Sequence, residues 1–213
     1  VAPPRLSLWQ VLRYVLRVRP NVVLIVSSSL GYYMFAGVRT FGVQFAEGHY
    51  GLGKGAALGV VLVGGIGGIA GVLTGGRASD ALLAHGRVDA RIVVPAVAIL
   101  GMVAVFVPAV ITTSLAVAVP LLVVAAFFLS MSNPPLDAAR LDVIPAAMWG
   151  RAESVRTVLR TSLEALAPLT FGATAEYVFG GQDTSGLEAT VLVMLVPLLA
   201  SPLVLLLARR SYP

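Results

Sequence analysis

A few polar side chains stand inside otherwise apolar stretches, and their types are the ones that could do chemistry. Arg39 lies within residues 21–46, in company with Ser27, Ser28, Ser29, Tyr32, Tyr33 and Gln44. Ser130, Ser132 and Asn133 close a second apolar run, and Glu164 lies within a third, residues 156–179. The planar guanidinium fork of Arg39 suits a carboxylate or phosphate on a solute. A charge inside a membrane span costs several kcal/mol unless it is paired or wetted, so such a residue is a functional candidate by default. Two plainer readings stay open for Arg39: its long stem reaches the outer headgroups, or it pairs with Glu47. Glu164 could carry a proton or act in gating, or it could pair with Arg160 one helical turn away. Burial would raise its pKa and a nearby arginine would lower it.

Other chemistries lack their residues. There is no cysteine, and His49 and His85 stand far apart in the chain. No Ser/His/Asp set, no paired catalytic carboxylates and no metal-ligand cluster is visible, so the expectation is a protein that is not an enzyme and holds no metal. Gly65-Ile66-Gly67-Gly68-Ile69-Ala70 fits a dinucleotide fingerprint. That fingerprint needs a strand before it, water around it and an acidic residue about 20 positions on. Here the glycines fall in the charge-free run 55–76, and Asp80 comes too soon.

The elements that must position these groups follow from composition. Hydrophobic residues make up 58% of the 213 residues and charged ones only 12%, about half the charge of a soluble domain. A span needs about 20 apolar residues. Six are read: about 21–46, 55–76, 92–112, 115–136, 156–179 and 188–208. The loops alternate in charge. Arg5, Arg13, Arg17 and Arg19, then Arg77, Arg87 and Arg91, then Arg140, Arg151, Arg156 and Arg160, then Arg209 and Arg210 share one side, against Lys54 on the other. The positive-inside rule puts both termini in the cytoplasm. Trp9, Tyr14, Trp149 and Tyr212 would mark the inner boundary, and Tyr50, Tyr177 and Phe179 the outer. The net charge of +5 is thus topological, and no nucleic acid is expected as a partner. Residues 5–19 are basic, with Leu6, Trp9, Leu12 and Leu16 at helical spacing. They read as an amphipathic helix along the cytoplasmic interface, or otherwise as a disordered linker.

Gly64 and Gly68, Gly67 and Gly71, and Gly71 and Gly75 are each four apart. Small residues at that spacing let helix backbones approach closely, so the second span is expected at a helix–helix interface.

Gly76-Arg77-Ala78-Ser79-Asp80, followed by Gly86-Arg87, closes that span. It resembles the cytoplasmic loop motif of the major facilitator superfamily, G-x-x-x-D-R with later glycine and basic residues, and it falls after the second of six spans as there. Ala81 replaces the arginine that usually follows the aspartate, which weakens the usual charge relay unless Arg77 or Arg87 substitutes. Asn133-Pro134-Pro135, Asp142-Val143-Ile144-Pro145 and Gly150-Arg151-Ala152 are similar to the link between helices ten and eleven of the spinster-like branch. Glu164-Ala165-Leu166-Ala167-Pro168 is similar to that branch's helix eleven, and residues 35–52 to its helix seven and outer loop.

The resemblance implies an all-α integral membrane fold, two three-helix repeats forming the C-terminal half of a twelve-helix transporter. Residues 1–19 would end its central loop, and residues 20–213 would form the bundle. Spans one and four would line a solute cavity, two and five would face the other half, and three and six would face lipid. Arg39, Tyr33, Gln44, Ser130, Asn133 and Glu164 become substrate-binding or gating candidates. Gly76, Arg77, Asp80 and Arg87 form the loop motif, whose partner lies in the other half. The implied activity is secondary active transport of a small organic or amphipathic solute in a bacterial inner membrane. Its partners would be the bilayer, the solute, and the other half or a second copy. No cofactor is implied beyond a coupling proton or ion. The competing reading is a six-helix protein that works as a homodimer or as a non-transporting interaction partner.

Overall fold

The computed structural model describes residues 8–181 and 184–209. Arg5, Leu6, Arg210 and Tyr212 lie outside the described residues. The helices are α1 (Leu8–Arg17), α2 (Arg19–Tyr50), α3 (Lys54–Ala84), α4 (Ala90–Ile111), α5 (Leu115–Met131), α6 (Asn133–Val143), α7 (Trp149–Ala173) and α8 (Thr184–Ala208). A 3₁₀ turn at Ala146–Met148 precedes α7, and a π turn at Thr174–Val178 ends it. No strand occurs among the described residues.

Local chemistry sets the boundaries. Pro20 stands in the first turn of α2, where its missing N–H costs nothing, and Gly51 ends that helix in the left-handed region at φ 63°, which glycine reaches without strain. Pro134 and Pro135 open α6 in the same way. With 32 residues, α2 is about 48 Å long at 1.5 Å per residue. It is therefore longer than a hydrocarbon layer of about 30 Å is thick.

Five stretches are long and apolar enough to cross a membrane: Arg19–Tyr50, Lys54–Ala84, Ala90–Ile111, Leu115–Val143 and Ser185–Leu207. The protein is thus a multi-pass membrane protein. The remaining long helix, α7, has 25 residues but carries Arg151, Glu153, Arg156, Arg160 and Glu164, and it lies along α2 inside the same bundle.

Helix ends sort by charge. His49 and Tyr50 at the end of α2 bond the carbonyls of Thr112 (3.0 Å) and Ala109 (2.6 Å) at the end of α4, and Glu188 near the start of α8 faces His49 at 3.5 Å. At the opposite end Arg209 pairs with Asp89 at 2.5 Å and Arg91 with Asp142. So α2 and α4 run one way and α8 runs back.

The main core joins α2, α4, α7 and α8 around Met34, Ile99, Met102, Phe106, Phe171 and Leu198. The third span, α4, has the largest buried share of the membrane-length helices. Its apolar sequence serves packing against α5 and α8 as well as an outer strip with Val97 and Leu100.

The glycines of α3 meet a helix of the same chain. A methyl on Gly67, Gly71 or Gly75 would overlap the carbonyl oxygen of Val123, Phe127 or Met131 in α5. Each pair is offset by the same number of residues, so α3 and α5 run parallel and in register. Gly55, Gly59, Gly64 and Gly65 meet nothing. Apart from its narrow seam, α3 shows Leu62, Ile66, Ile69 and Leu73 at the surface.

Candidate functional site

Arg39 and Glu164 come together across two helices. Arg39 Nη2 stands 3.8 Å from Glu164 Oε1, with the arginine side chain 64% exposed and the glutamate 23%. The contact pairs α2 with α7, and neither Glu47 nor Arg160 supplies it. Arg160 instead lies over the Tyr32 ring at 4.2 Å, a cation–π placement that suits a guanidinium on a phenol face. Arg39 also lies 6.0 Å from the Phe35 ring centre. Side by side on α2 and α7 thus stand Tyr32, Phe35 and Arg39, then Arg160 and Glu164. Gln44 is exposed on α2 one turn past Thr40. The long, partly open Arg39–Glu164 pair leaves guanidinium donors available to an anionic group that approaches from the open side.

Tyr33 has a different job from the one its place in a span suggested. It is buried, its hydroxyl meets Thr170 Oγ1 at 2.5 Å and Met194 Sδ at 3.4 Å, and its ring tilts against Phe171. Its polar end is satisfied inside the bundle, so it belongs to the core and not to an open face. The Phe171 ring in turn covers Gly37, where a side chain would collide with it. Ser130 lies half-buried on the α3–α5 seam, close to Gly68. Asn133 is half-buried at the first position of α6.

The loop motif is mostly helix. Gly76, Arg77 and Asp80 lie in the last turns of α3, and only Arg87 is in the loop beyond. Asp80 is exposed, and among the described residues no ion pair reaches it. Arg87 turns to Asp89 at 3.6 Å, and among the described residues no ion pair joins Arg77 or Arg87 to Asp80.

A charge network where α6 meets the start of α7 escaped the sequence reading. Arg140 of α6 bonds Asp137 (2.9 Å) and Glu153 (2.8 Å), and Arg156 of α7 bonds Glu153 and approaches Asp137 at 3.4 Å. Both arginines are buried. Partial burial opposes ionisation of Glu153, but hydrogen bonds and charge from Arg156 and Arg140 prevail and hold its carboxyl down to about 2. The network clamps α6 to the start of α7. These arginines looked like topology markers, and the spacing of Arg140 and Glu153 across a proline-containing link was the signal that could have paired them. Beside the network, Asn21, Ile144 and Trp149 help line a cavity of about 20 Å³, room for one water. Among the described residues no group of metal-ligating side chains occurs.

No protein-family model and no curated protein matches the chain. The fold is recognisable nonetheless. The chain has the fold of about half of two solved bacterial transporter structures. It is similar to the crystal structure of a bacterial homologue of the human lysosomal transporter Spinster, inward-facing and occupied, at TM-score 0.77 and 16% identity over 91% of this chain. The unoccupied inward-facing form of a bacterial Spinster homologue gives TM-score 0.75 and 15% identity over 96%. In both cases the chain spans 50% of the solved structure's length.

Proposed function

We propose that this chain is the C-terminal half of a secondary transporter that moves a small organic or amphipathic solute by alternating access, with both termini cytoplasmic in a bacterial inner membrane. The observation that carries the reading is Arg39, an exposed arginine deep in a membrane-crossing helix, held loosely at 3.8 Å by Glu164 of a second helix. A guanidinium kept in that state can exchange its carboxylate partner for a solute anion, and the exchange couples binding to the spacing of α2 and α7. In folds of this kind two halves rock about a central site. The transport face of this half is therefore the α2–α7 surface with Arg39, Gln44 and Glu164, while Tyr33 supports it from behind. Asp80 would find its partner in the other half.

The test is uptake into vesicles by the protein containing both halves, after a thermal-shift screen of short- and long-chain carboxylates selects the solute. Arg39→Ala abolishes transport and leaves membrane insertion and yield unchanged. Uptake at the wild-type rate in that variant removes Arg39 from the site. The homodimer reading draws on the continuous core within this one chain, and it gains if the purified chain forms a stable dimer with no further membrane helices encoded upstream.

A further inference from the structure

The short helix α1 carries two apolar edges, and only one of them is used. Val11 and Val15 are fully buried against Ile25, Ile144 and Ala152, and Asn21 Nδ2 donates to the Val15 carbonyl at 3.1 Å. These contacts fix α1 across the ends of α2 and α7. Trp9, Leu12 and Leu16, at i, i+3 and i+7, share the neighbouring face. Trp9 is 74% exposed and Leu16 46%. Arg13 and Arg17 flank that strip, and the five side chains border an open groove on the outer side of the helix. No acidic residue precedes Glu47 in the sequence, whereas Arg13, Arg17 and Arg19 stand within a few residues of one another. Only Val18 separates α1 from the membrane-crossing α2.

We infer that α1 is a docking surface for anionic lipid headgroups of the cytoplasmic leaflet. Trp9, Leu12 and Leu16 enter the boundary between headgroups and acyl chains, and Arg13 and Arg17 hold the phosphates above them. A helix with tryptophan and leucine on one face and arginine beside it takes that position in a bilayer. Here the bundle also holds it in place, because Val11 and Val15 prevent it from rolling its used edge away. The occupant is named by charge: a strip flanked by arginines, in a stretch with no acidic residue before Glu47, selects an anionic surface over a neutral one. Because Ile144 and Ala152 adjoin the Arg140–Glu153–Arg156 network, lipid bound at α1 bears on the link between α6 and α7. The inference rests on the orientation proposed above and not on transport.

The test reads Trp9 fluorescence in the full chain reconstituted in vesicles, with Trp149→Phe leaving Trp9 as the sole tryptophan. If that variant does not fold, the difference between wild type and Trp9→Phe gives the same reading. Acyl-brominated phosphatidylglycerol diluted in phosphatidylcholine quenches Trp9 more strongly than brominated phosphatidylcholine diluted in phosphatidylglycerol. Arg13→Gln and Arg17→Gln each reduce the relative association constant for phosphatidylglycerol about fivefold at low ionic strength, and added salt erases the preference. Equal quenching by both lipids, or a preference untouched by the two substitutions, overturns the anionic assignment. No quenching at all means that water or another protein segment covers the strip, and overturns the docking itself. A protein that transports nothing yet keeps the lipid preference overturns the transport reading alone.

Discussion

Replacing Gly71 by alanine should loosen the α3–α5 pair, and replacing Gly59 by alanine should not. A β-carbon at Gly71 overlaps the Phe127 carbonyl and presses on its backbone carbon, whereas at Gly59 nothing lies within 4 Å. The obstructing atoms at Gly71 belong to the middle of a helix and cannot swing aside as a side-chain end can. The helices must separate, and a gap of about 0.5–1 Å forfeits about a quarter to a half of the dispersion attraction at each contact along the seam. Overpacking of this kind costs about 1–3 kcal/mol, and a rigid obstruction belongs in the upper half of that range. Alanine returns at most about 1 kcal/mol of helix propensity, and less in a bilayer, where the chain is helical before its helices associate. The assay is the temperature at which detergent-solubilised protein leaves its monodisperse elution peak. Gly71→Ala should leave it well below wild type, with Gly59→Ala at or slightly above wild type. Equal melting of the two variants would refute the close-packed seam.

Phe171→Ala removes a fully buried ring that packs on Gly37, Tyr33 and Phe41, and should cost about 3–5 kcal/mol in the same thermal assay. Tyr33→Phe keeps the ring and loses the bond to Thr170. It should cost about 0.5–1.5 kcal/mol and leave solute affinity unchanged, whereas a loss of affinity at full stability would return Tyr33 to the binding face. Glu153 has its carboxyl lowered from 4.5 to about 2. A depressed carboxylate stabilises the fold fully above its unfolded pKa, and that contribution fades as pH falls through its folded pKa. Melting temperature should therefore drop between about pH 5 and about pH 2 in wild type, and the drop should shrink in Glu153→Gln.

Much of the bundle was legible because apolar runs broken by arginine clusters leave few alternatives. Partners were not. Four-residue spacing announces a close helix contact but says nothing about which helix arrives, and it is α5 of the same chain that fills Gly67, Gly71 and Gly75. Arg39 invited local partners, Glu47 or the headgroups, because sequence proximity is all that a single chain displays. Glu164 reaches it only once α7 lies along α2. Tyr33 shows the converse error. A hydroxyl within a span reads as cavity lining until a second helix offers it Thr170. The Arg140–Glu153–Arg156 network was hidden because arginines near an inner boundary are explained by topology alone.

The register of α3 on α5 has a mechanical consequence. Glycine hollows repeat every four residues along α3 and carbonyl ridges every four along α5, so the pair behaves as a toothed rail. Sliding α3 by one tooth, about 6 Å at 1.5 Å per residue, would seat Gly67 on Phe127 and Gly71 on Met131. The same slide would bring Val63 to the Val123 carbonyl, where no glycine hollow receives it. Displacement along this rail is therefore blocked at the first notch. Under forces smaller than a notch requires, α3 and α5 travel as one plank.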